Sequence, residues 1–172
     1  MSFLARLFGA RPDPRGALRP LWHRLVELAR EPQWYTHGGI ADTMPGRFDA
    51  VALVMALVML RMDARPDLKL PSARLTELFV EDMDGQMRQS GVGDLVVGKR
   101  VAKLMSALGG RIEALRAALA QADDAALIAA IERNVTLTET AKPAAIAAEL
   151  RVLASTLADT SDADLLAGRI AR

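Results

Sequence analysis

Three observations predict an all-α fold for this chain, a compact single-domain multi-helix bundle with one long ordered loop. Apolar residues make up 51% of the chain and aromatics 4%, with Ala and Leu dominant, and both of these lose little on entering a helix. Apolar positions recur at steps of three and four, where a half-buried strand would alternate. An unbroken apolar run over 50–60 falls well short of the ~20 residues that a membrane crossing needs, and predicts a buried core helix. The 172 residues suit one domain able to bury a core without covalent staples.

Taken in order, residues 1–14 form a basic and apolar arm and 15–172 the helical domain. In the arm Phe3, Leu4, Leu7 and Phe8 fall at helical spacing beside Arg6. Pro12 and Pro14 end the arm. Such an arm is either a weak membrane-surface anchor or a frayed terminus. A helix over about 15–30 carries Leu18, Leu21, Trp22, Leu25, Val26 and Leu28, with Pro20 in or near its first turn. Residues 32–48 form the long loop, which holds Trp34, Tyr35, Gly38, Gly39, Pro45 and Gly46.

The helix over 47–64 is apolar nearly all round, which places it centrally. Ser72 is the expected cap of the next helix, which runs to about 90 with Leu75, Phe79, Met83 and Met87 on one stripe. Gly91 ends it and Asp94 starts the longest amphipathic pattern, from Val97 to Leu119, in which Gly109 and Gly110 mark a bend or a close approach. A shorter helix runs from Asp123 or Asp124 to about Asn134. The β-branched stretch 135–140 has no evident strand partner and is assigned to a loop. Pro143 opens another helix, and Ser161 with Asp164 a last short one.

Chemistry is sparse. The chain has no cysteine, which excludes disulfides, thiolate metal sites and cysteine nucleophiles. A net charge of +1 argues against a protein built to neutralise phosphates, although six arginines crowd residues 1–30. The N-terminus lacks the pattern of a secretory signal, so a cytoplasmic location is expected. His23 and Glu27 share a helix face without further metal ligands near them. Asp82-Met83-Asp84-Gly85 misplaces the glycine of a calcium loop and lacks its final glutamate. No catalytic residue, metal or cofactor is predicted, and the chain is expected not to be an enzyme.

One binding alternative is a helix-turn-helix nucleic-acid reader over 83–105, with Lys99, Arg100 and Lys103 on its second helix. That helix is committed to a core stripe and lacks polar side chains suited to base edges.

Two stretches resemble the ubiquinol–cytochrome c chaperone family. One is Tyr35-Thr36-His37-Gly38-Gly39-Ile40-Ala41-Asp42-Thr43 with Gly46-Arg47-Phe48-Asp49. The other is Phe79-Val80-Glu81-Asp82-Met83-Asp84 with Met87-Arg88, Gly91-Val92-Gly93-Asp94-Leu95 and Val97-Gly98-Lys99-Arg100-Val101. The tail Leu165-Leu166-Ala167-Gly168-Arg169 is similar too. The resemblance implies an all-helical assembly factor for the ubiquinol–cytochrome c reductase, whose client is newly made cytochrome b. Mitochondrial members of that family also work near the ribosome exit with a small helical partner, and the short N-terminus here looks bacterial.

An apolar patch with a charged rim would serve such a client. The expected client contacts are Trp34, Tyr35, Phe79, Met83 and Met87. Gly38, Gly39 and Gly46 are expected to fold the loop back on the Phe79 helix. Asp42, Arg47 and Asp49 are expected to tie the loop to helix ends, and Gly91, Gly93 and Asp94 to form the interhelical turn. Lys99, Arg100 and Lys103 are candidates for ribosome or lipid contact, against an ordinary solvated face. Weak membrane-surface contact is expected of the arm, and no DNA.

Overall fold

A computed structural model describes residues 13–89 and 94–171, with backbone alone between 87 and 101. The arm up to residue 12, the Gly91 and Gly93 turn, and the side chains of Met87, Asp94, Lys99 and Arg100 therefore lie outside the described residues.

After a 3-10 turn at Gly16–Leu18, α1 spans Arg19–Ala29, with Pro20 in the first turn, where a missing N–H costs nothing. A short α2, Pro32–Thr36, occupies the start of the expected loop. The central α3 runs Met44–Asp63. It begins earlier than the sequence suggested, because Thr43 caps it by accepting the Gly46 N–H (3.3 Å) and Pro45 sits in its first turn.

α4 spans Lys69–Gln89, after a 3-10 turn at Pro66–Leu68. Ser72 is not its cap. Pro71 is accommodated in the first turn, where N–H groups have no intrahelical acceptor, and the Ser72 hydroxyl donates to Met59 Sδ at 3.4 Å.

α5 is Asp94–Leu119, α6 Ala125–Asn134, α7 Pro143–Asp159 and α8 Asp162–Leu166. Gly109 and Gly110 of α5 lie exposed with open space about them, so no neighbour's approach requires them. Ser161 accepts the Asp164 N–H (3.1 Å), the expected start of α8.

α3 packs against α1, α4, α5 and α7, which explains its apolar girth: residues 50–58 are all buried. One core joins the helices. Within it, Trp22 of α1 meets Phe79 of α4 edge-on with centroids 6.0 Å apart, and Phe48 of α3 lies 6.2 Å from Phe79.

Arginines close the loops. Arg61 donates to Leu157 O and Thr160 O (both 2.9 Å) and to Asp162 (2.6 Å), fastening the end of α7. Arg151 pairs with Asp124 and reaches Asp123 O at 2.8 Å. Arg24 donates twice to Ile170 O, at 3.1 and 3.2 Å, and so holds the C-terminal tail on α1. A planar guanidinium suits this work because its several donors serve neighbouring carbonyls at once.

Candidate functional site

The stretch 37–43 folds not onto the Phe79 helix but onto 134–142. Ala41 N–H donates to Thr136 O, Thr138 N–H to Gly39 O and Lys142 N–H to Gly38 O, each at 2.9 Å, around a single antiparallel bridge between Ile40 and Leu137. The β-branched stretch thus has a partner after all, and that partner is the glycine loop. Gly39 sits at φ +80°, where a Cβ would lie 2.5 Å from Ala141 Cα. Gly46 passes so close to Ala41 O that a Cβ would lie 2.0 Å from it.

Asp49 anchors the same junction. It is buried, pairs with buried Arg111, and accepts from Thr136 N–H (2.9 Å) and the Thr136 hydroxyl (2.7 Å). Arg111 also donates to Asn134 O (2.7 Å) and lies 5.9 Å from the Phe48 ring centroid.

The aromatic pair of α2 has a second structural task. Trp34 Nε1–H donates to Leu28 O at 2.7 Å and the Tyr35 hydroxyl to Ala29 O at 2.9 Å. These are carbonyls at the end of α1, which has no intrahelical donor left for them. Burial, with Asp42 nearby, pushes the Tyr35 phenol above its ordinary range, so it stays a donor.

Held in this way, α2 and the start of α3 form one side of an open groove of about 880 Å³. Val26, Pro32, Tyr35, Met44, Phe48, Val51 and Met83 give it an apolar lining. Arg30, Asp42, Arg47, Asp82 and Gln86 supply its charged and polar rim. Met44 is 63% exposed at the lip. Arg47 donates to Asp42 at 2.6 Å, and that hydrogen bond holds the Asp42 carboxyl below its usual range.

The expected client contacts separate here. Tyr35 and Met83 line the groove. Trp34 and Phe79 do not: they are 1% and 0% exposed, enclosed in the core with their surfaces already taken by neighbouring elements. Met83, at 4% exposure, contributes groove floor, not rim. Met44, Phe48, Val51 and Val26 also line the groove, a placement the sequence reading did not foresee. The signal was available: 44, 48 and 51 share one face of α3 by their spacing, and that face starts beside a cap, where a helix emerges from the core.

Lys103 is exposed, and its ammonium group has no ion-pair partner among the described residues. α5 gives Leu104, Leu108, Ile112 and Leu115 to the core, a commitment that leaves little of it to enter a DNA groove. Among the described residues no group of three His, Cys, Asp or Glu side chains is placed to hold a metal ion, and no helix is long and apolar enough to cross a membrane.

Against known proteins, the family described as ubiquinol-cytochrome C chaperone matches residues 36–172. The crystal structure of the Cbp3 homolog from Brucella abortus is similar over 90% of this chain and 87% of that one, at 31% identity and a TM-score of 0.79. No curated protein matches the chain.

Proposed function

This chain belongs to the ubiquinol–cytochrome c chaperone family, and from that premise we propose that it binds newly made cytochrome b, without turnover, during assembly of the ubiquinol–cytochrome c reductase. The observation that carries the reading is the groove: an open, apolar-lined trough with a charged lip. A chaperone for a membrane protein must offer apolar surface and still stay in solution, and a concave patch ringed by charge meets both demands.

Tyr35, Met44, Phe48 and Met83 are the contacts we assign to the client. Trp34, Phe79, Asp49, Gly38, Gly39 and Gly46 hold the groove's frame. The protein works on the cytoplasmic side, with the ribosome, a small helical partner or the membrane surface as further contacts, and the exposed Lys103 is one residue open to them. No cofactor enters the reading.

Met44→Glu tests it. Met44 is exposed, so the thermal midpoint should hold, while cytochrome b should no longer co-purify and the assembled reductase should fall. Normal cytochrome b and normal complex in a strain lacking the gene would overturn the proposal.

A further inference from the structure

The groove's charges are not equivalent. Arg47 is neutralised by Asp42. Asp82, on α4, accepts from the Gln86 amide at 2.9 Å. Arg30, one residue beyond α1, is exposed on the lip; its backbone N–H donates to Glu27 O at 3.0 Å, while its guanidinium makes no hydrogen bond or ion pair among the described residues.

An apolar segment filling the trough would cover this guanidinium and strip its water without return, which is costly. A segment bringing a carboxylate would instead form a charge-assisted, two-pronged pair with it. Asp82 of α4, which also lines the groove, disfavours a carboxylate beside itself. An acid within an apolar stretch is also the side chain that a membrane-protein segment can least leave without a partner.

The geometry points to a groove that selects an apolar segment carrying an acidic side chain, with Arg30 as the residue that recognises the acid. This inference rests on the groove being the client site, and its test separates the two. Three labelled apolar peptides, identical except for a central Glu, Gln or Lys, are titrated onto the full chain by fluorescence anisotropy.

The Glu peptide should bind about fivefold tighter than the Gln peptide, the scale of a partly covered ion pair, and the Lys peptide should bind most weakly. Arg30→Gln should abolish the preference, Arg30→Lys should retain part of it, and raised salt should shrink it. Equal binding of the Glu and Gln peptides, or a preference that survives Arg30→Gln, overturns the role of Arg30 while the groove stands. Binding of none of the three, or binding that Met44→Glu leaves unchanged, overturns the groove and this inference together.

Discussion

Two aspartate–arginine pairs arise from the same short stretch and have opposite fates. Asp42 and Arg47 meet at the groove lip with both side chains more than 60% exposed. Asp49, two residues further along, points inward to Arg111 with both side chains 10% exposed. The first pair is screened by water and salt and shapes a surface. The second is sealed between α3, α5 and the segment after α6, and every acceptor of Asp49 that faces Thr136 or Arg111 is used. Residue type does not distinguish a rim from a frame; the number of partners that converge on it does.

The largest expected effect comes from breaking the inner pair. Asp49→Ala leaves the Arg111 charge buried and unmatched, and should cost about 3–5 kcal/mol in urea unfolding. A loss comparable to that of an exposed pair would mean the pair is far wetter than its burial indicates. Next comes the close approach beside it. Gly46→Ala pushes a methyl into the Ala41 carbonyl and should cost about 1–3 kcal/mol. An unchanged midpoint would show that the lip yields freely.

The smallest effect belongs to the lip pair itself. Asp42→Ala should leave the unfolding midpoint in place. The folded Asp42 carboxyl lies below its usual range because Arg47 donates to it. Its contribution is therefore present above the ordinary carboxylate range and lost as pH falls through the lowered value. The Asp42 carboxyl carbon followed by NMR should titrate lower in the wild type than in Arg47→Ala. Coincident curves would remove the pair from the lip.

The helical frame was legible wherever periodicity was long. The stripe of α5 and the girth of α3 give their partners away, because a face that is apolar for several turns must be covered. The capping signal at Ser161 was equally plain. Less legible were features set by tertiary pairing. Nothing local in 135–140 announces that its partner is a glycine loop nearly a hundred residues earlier, so the loop was expected on the Phe79 helix. Trp34 was expected at the surface because a large aromatic in an irregular stretch serves equally well as a contact or as the plug of a helix end, and only the position of Leu28 O decides. Met44 was overlooked because Pro45 and Gly46 signal a loop before they signal the first turn of a helix.

The grip of Arg24 on Ile170 has a consequence for the order in which the groove's frame can be completed. α1 supplies Val26 to the groove and leads into Arg30, yet its outer side packs against α8 and is fastened by a carbonyl 146 residues downstream. In synthesis Arg24 is made before its acceptor, so the clasp cannot form until Ile170 has been added. A copy lacking Ile170 has the wall without the brace, so the α1 side of the groove depends on a residue far from it in sequence.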